Sequence, residues 1–140
     1  MDPRADDLLN QPLIGQLGFQ GLDGYPHVLP VWYRYQDGEI LISTPPGAYK
    51  CRSLRDNPRA SLAVSTDWPY RLVTVTGDVA VEVLEEPRRI EFVTEVAARY
   101  LGTELGGRYI EGWMGDGGPG DGELLRLRPA RIRFYDVSGE

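Results

Sequence analysis

The sequence predicts a mainly β chain of α+β class, a small antiparallel barrel of about six strands flanked by two or three helices. Three observations support this. Short runs that alternate apolar and polar residues recur between residues 14 and 84 and again at 123–137, the period of half-buried strands. Turn signals punctuate them at Asp23-Gly24, Asp37-Gly38 and Pro45-Pro46-Gly47, which favours hairpins between antiparallel neighbours. Only the stretch after Pro87 carries a long helical stripe, through Ile90, Val93, Val96, Ala97, Tyr100 and Leu101.

Taken in order, residues 4–9 suit a short helix over a barrel end. Ile14–Gln20 reads as a first strand, and LDGY at 22–25 turns it into a second, Pro26–Tyr35. There Val28, Pro30 and Trp32 share one face, while His27, Leu29, Val31 and Tyr33 share the other. Pro30 has no N–H for a ladder, which places this strand at a sheet edge or a bulge. Glu39–Ser43 makes the third strand. Ala48–Asp56 is a short helix, stopped by Asn57-Pro58 because a residue before proline disfavours helical geometry. Arg59–Ser65 is a fourth strand, Asp67–Tyr70 a loop, and Arg71–Leu84 a long fifth strand curled by a bulge at Gly77. The helix after Pro87 has Glu85 and Glu86 at its positive end and Gly102 as its stop. Tyr109–Met114 suits one more helical turn, GDGGPGDG (115–122) a flexible acidic loop, and Glu123–Val137 a last strand bent near Pro129. No repeat or second domain is visible, so residues 1–140 read as one domain.

Composition narrows the function classes. A net charge of -6 argues against non-specific nucleic-acid binding. No run reaches the length of a membrane span, and MDPRADD is too acidic to open a secretory signal. The single cysteine, Cys51, has no partner for an internal disulfide. A cytoplasmic location is expected. Nearly every cation is arginine, with Lys50 the only lysine, a weak hint of a site that needs a compact ammonium.

No catalytic triad or metal cluster is visible, since His27 is the only histidine and Cys51 the only cysteine. Asp116, Asp121 and Glu123 fall short of a calcium-loop pattern. The remaining constellation is Ser43, Thr44, Tyr49, Lys50 and Arg52, where a strand ends and a helix begins. Hydroxyls, exposed amides of a helix start and two cations together neutralise a phosphate; an ordinary solvated junction is the equal alternative. Trp32, Tyr33, Trp68 and Tyr70 either wall a flat aromatic ligand or serve as barrel core and dimer contact.

PHVLPVW (26–32), ILIST (40–44) and K-x-R-x-L-x-x-N-P-R-x-S-L (50–62), in that order and spacing, resemble the pyridoxamine 5'-phosphate oxidase-like family of flavin and deazaflavin split-barrel proteins. The resemblance runs from about Leu17 to Glu82 and continues at ARYLG (98–102) and LRLRPARIRFYD (125–136). It implies a six-stranded antiparallel split barrel that forms a homodimer, with a cofactor at each subunit interface. The strand holding His27, Val28, Leu29, Pro30, Val31 and Trp32 would line the cofactor ring. Ser43, Thr44 and Lys50 would bind its phosphate with Tyr49 and Arg52 beside them, and Trp68 and Tyr70 would lie near the ring. The chain departs from the family pattern in having Ala48 and Tyr49 where many members place a second cation. It also has His27 where the vitamin-pathway oxidases carry arginine.

The function implied is an oxidoreductase that uses FMN or coenzyme F420 to move a hydride to or from a small conjugated or aromatic substrate. The arginine bias leans toward F420. No side chain is then required as acid or base, and Tyr33, His27 and Tyr70 are the candidate proton donors. The alternatives are a non-catalytic carrier or sensor of flavin, F420 or haem, and a cofactor-free dimer. Partners are a small molecule and a second copy of the chain, with no nucleic acid and no membrane.

Overall fold

The computed structural model describes residues 2–115 and 118–137. Asp116 of the acidic loop, and with it the test of the calcium-loop pattern, lies outside the described residues.

Helix α1 (Pro3–Leu9) is capped by Asp2, whose side chain accepts from the Arg4 N–H at 2.9 Å. Strands β1 (Gly15–Gln20), β2 (Pro26–Val31), β3 (Arg34–Gln36) and β4 (Glu39–Thr44) lead to α2 (Tyr49–Asp56). Strands β5 (Arg59–Ser65) and β6 (Arg71–Leu84), helix α3 (Arg88–Met114) and β7 (Gly122–Asp136) complete the chain. All seven strands join one antiparallel sheet in the order β2-β1-β5-β6-β7-β4-β3.

The α+β, mainly β class stands, but the strand count is seven rather than six. The expected strand Pro26–Tyr35 divides at Trp32-Tyr33 into β2 and β3, and these are the two edges of the sheet. A flat seven-stranded sheet would hold its edges roughly 29 Å apart, while Val31 to Arg34 is three Cα steps, at most about 11 Å. The sheet therefore rolls until the end of β2 and the start of β3 lie within that reach, without closing. The Trp32-Tyr33 link joins them, and no ladder of hydrogen bonds does. This is a split barrel. Pro30 sits in an edge strand paired only with β1, opposite Gln16, as its missing N–H requires.

The rolled sheet encloses Leu17, Ile40, Leu62, Val73, Val75 and Leu127, all fully buried. Leu8 and Leu9 of α1 and Cys51 and Leu54 of α2 pack into the same core. The bulge expected near Gly77 is present: Thr76 pairs with Arg131 but Gly77 pairs with Pro129, so Ala130 is the extra residue. A β-carbon at Gly77 would collide with the Arg128 carbonyl oxygen.

Outside the roll, a smaller core of Leu41, Leu84 and Leu124 receives Phe92 and Val96 of α3. Helix α3 departs from expectation. Gly102 does interrupt it (φ 82°, ψ 168°), but helix resumes at once and runs on to Met114. A β-carbon at Gly106 would stand 3.0 Å from the Ala98 nitrogen and 3.1 Å from the Ala97 carbonyl carbon. The second segment thus folds back against the first, so close that a β-carbon there would push the facing backbone away by a few tenths of an ångström. Among the described residues no helix is long and apolar enough to cross a membrane.

Candidate functional site

The folded-back segment of α3 and the ends of β2 and β4 enclose a cleft of about 430 Å³. Its strand wall consists of Pro30, Val31 and Trp32, with Ser43, Thr44 and Lys50 at one end. Its helix wall is Phe92, Val93, Val96, Tyr109 and Trp113, with Arg89 at the base of α3. The two cations face no Asp or Glu in the lining.

Neighbours hold each wall in place. The Trp32 indole stacks flat on Tyr100, centroids 5.1 Å apart and planes within 6°, and Tyr109 tilts against it at 5.4 Å. The Tyr100 hydroxyl donates to the Leu13 carbonyl at 2.9 Å and accepts from the Tyr33 N–H at 3.1 Å. The Trp32-Tyr33 link is thereby tied to α3. Arg99, one residue earlier, donates to the carbonyls of Leu9, Asn10 and Gln11.

The cation end is set by Glu123 of β7. Its buried carboxylate accepts from the Gly47 N–H at 2.8 Å and pairs with Arg55. Burial opposes its charge, but Arg55 and Gly47 outweigh this and hold the carboxyl below its ordinary range. One carboxylate thus fixes both the loop before α2 and the far end of that helix. Helix α2 has no side-chain cap. Cys51 and Arg52 donate to the Ala48 carbonyl, and the Tyr49 and Lys50 N–H groups have no partner among the described residues. Ser43 is half-buried at the end of β4, while Thr44 is buried with its hydroxyl 3.5 Å from the Pro45 carbonyl.

Of the candidates read from sequence, the structure brings together Pro30, Val31, Trp32, Ser43, Thr44 and Lys50. The others lie elsewhere. His27 is 3.0 Å from both Asp23 carboxylate oxygens, stacks on Phe19 at 5.5 Å and meets Tyr49 edge-on. The Tyr49 hydroxyl accepts from the Asp23 N–H at 3.1 Å. His27 and Val28 border a broader depression on the outer sheet face, with Gly18, Ser61 and Gly77. Val28 and Leu29 are exposed. Arg52 reaches back to the Gly47 carbonyl at 3.3 Å and lies over the Tyr49 ring. Trp68, 79% exposed, and Tyr70 project from the β5–β6 turn and do not border the cleft. Tyr33 is fully buried and donates to the Leu9 carbonyl at 2.9 Å; burial raises its pKa.

The acidic loop is pinned where it is described. Arg89 Nη1 donates to the carbonyls of Pro119 (3.2 Å), Gly120 (3.2 Å) and Asp121 (3.0 Å), and Glu86 accepts from the Gly120 N–H at 2.6 Å. A buried guanidinium thus collects the carbonyls of residues 119–121.

Arg89, Phe92, Tyr109 and Trp113 are cleft residues that no motif in the sequence marks. One signal was visible: Arg88-Arg89 places cations in the first turn of a helix, against its dipole.

The family model for pyridoxamine 5'-phosphate oxidase matches residues 1–136. The chain belongs to that family. Solved structures of this split-barrel family resemble it over nearly its whole length. A conserved hypothetical protein of Mycobacterium tuberculosis is 28% identical with a TM-score of 0.71, covering 97% of this chain and 84% of the other. An F420 reductase is 24% identical with a TM-score of 0.71, covering 91% and 94%. A haem storage protein of Vibrio cholerae is 15% identical with a TM-score of 0.65, covering 96% and 93%. The last two share the family fold. No curated protein matches the chain.

Proposed function

We propose that this family member is an oxidoreductase that binds coenzyme F420 or FMN in the α3 cleft and passes a hydride to or from a small conjugated or aromatic substrate. The observation that supports this is the cleft itself, which combines aromatic walls with two cations and no carboxylate, and Lys50 brings to it a main-chain N–H left free at the start of α2. That donor set fits a planar molecule with an anionic tail.

When bound, the ring supplies the redox chemistry, and the protein positions it and excludes water. Lys50, through its ammonium and its main-chain N–H, would hold the phosphate. Trp32, fixed by Tyr100, would lie against the ring, and Phe92, Val93 and Val96 would keep the apolar wall dry. Tyr109 brings a hydroxyl to the cleft, and a substrate stacked there meets it as proton donor. Two copies assemble into a homodimer, to which the exposed Val28, Trp68 and Tyr70 give apolar contact area.

The arginine-rich composition and the F420 reductase among the fold's members make F420 the first ligand to test. A carrier of haem is the weaker reading, because no His, Cys or Met borders the cleft among the described residues and Tyr109 is the one lining side chain of a type that ligates haem iron. Side-by-side titration with F420, FMN and haem decides. Quenching of F420 or FMN fluorescence at micromolar protein is expected, and failure of both sinks the proposal. Lys50→Ala should weaken that binding by about 1.5–3 kcal/mol, roughly tenfold or more. Bleaching of the reduced, bound ring by an acceptor separates an enzyme from a carrier.

A further inference from the structure

Arg89 is the one buried cation among the described residues, 5% exposed. A guanidinium stays charged, so its burial needs compensation. Here the compensation is incomplete. Nη1 is shared among three main-chain carbonyls. Nε is buried without a hydrogen-bond partner. No carboxylate of the described residues forms an ion pair with it. It also stands in the first turn of α3, where the positive helix end repels a cation.

Arg126 shows how the same chain satisfies an arginine of purely structural use. Glu39 meets it at 2.8 Å and Glu82 at 3.0 Å, two carboxylates for one guanidinium. Arg89 has none. Instead it shares the cleft with Lys50, another cation without an ion pair among the described residues. Two like charges lining one partly dry cleft repel, and an anion between them removes that cost.

We infer that Arg89 is a ligand-binding residue that forms with Lys50 a two-cation clamp for the phosphate-bearing part of the bound molecule. It supplies from α3 the second cation that Ala48 and Tyr49 do not. The inference rests on the cleft being the ligand site, but it holds for any phosphate-bearing occupant. The Arg89 guanidinium also lies 5.2 Å over the Trp113 ring, so an anion arriving there perturbs indole emission.

The test uses the full chain and inorganic pyrophosphate, with sodium chloride at matched ionic strength as the control. Pyrophosphate should raise the wild-type Tm and shift tryptophan emission, as binding to the folded state requires. Lys50→Met should weaken pyrophosphate about tenfold yet leave a measurable shift in Tm. Arg89→Lys, which keeps a charge but loses the fork, should weaken it comparably, and the double variant should abolish it. The clamp is overturned if wild type shows no shift, if Lys50→Met alone removes the whole effect, or if folded Arg89→Lys responds as wild type. The Lys50→Met arm decides even where Arg89 variants fold poorly. Pyrophosphate binding through both cations without F420 or FMN binding would leave the clamp standing and the cofactor proposal fallen. Cofactor binding unchanged in Arg89→Lys would do the reverse.

Discussion

The two walls of the cleft are built by different physics. The strand wall is held by ladders. β2 is paired along its length with β1, β4 with β7, and Glu123 braces the corner that carries Lys50. The outer part of the helix wall, Tyr109 and Trp113, rests on two glycines and a few aromatic contacts: Gly102 turns the chain, Gly106 lets it lie against Ala97 and Ala98, and Tyr109 touches Trp32. A wall tied by many cooperative bonds resists local change, whereas one tied by close approach at a single residue is the easier to displace. The strand wall therefore sets whether the protein folds, and the helix wall sets how well the cleft holds what enters it.

Gly77→Ala tests the strand side most severely. The added methyl meets backbone rather than a movable side chain, so a loss of about 3 kcal/mol in urea unfolding is expected. A neutral result would show that the β6–β7 bulge relaxes freely. Glu123→Gln should cost about 2 kcal/mol at pH 7 through the lost charge on the Gly47 and Arg55 bonds. The sign of its pH dependence follows from the lowered carboxyl pKa. The stabilisation is whole above the unfolded-state value near 4.5 and is lost as pH falls through the lower folded-state value. Wild type and Glu123→Gln should therefore converge in stability only once pH has fallen below the lowered folded-state value; a gap that persists in strong acid would mean that packing, not charge, fixes this corner. Gly106→Ala is the mildest, about 1 kcal/mol. Its effect should fall mainly on ligand affinity, as the second α3 segment lifts away. Full affinity in that variant would show that the helix wall does not hold the ligand.

The same contrast explains what the sequence reveals. Strand alternation, Pro30 at an edge, the Gly77 bulge and the break at Asn57-Pro58 are local rules, and they can be read from neighbouring residues. The division at Trp32-Tyr33 cannot, because apolar periodicity runs through it unbroken; only the sheet order shows that its halves belong to opposite edges. In the cleft, the strand and α2 residues Pro30, Val31, Trp32, Ser43, Thr44 and Lys50 were legible from motif and spacing. Arg89, Tyr109 and Trp113 were not, since their place depends on the close approach of Gly106 to a turn of helix eight residues earlier. The turn at Asp23 engages both His27 and Tyr49, a partnership that their spacing in the sequence does not announce.

The two-residue seam at Trp32-Tyr33 also bears on solubility. An open sheet offers unpaired amides and carbonyls at both margins, a template on which other chains polymerise. Here the Trp32-Tyr33 link draws one end of each margin together, and Pro26 and Pro30 remove two donors from one of them. Lengthening the seam with a flexible insert would let the roll spring open and present two sticky borders. The expected outcome is fibrous or amorphous deposit from a chain whose every stabilising core residue is intact.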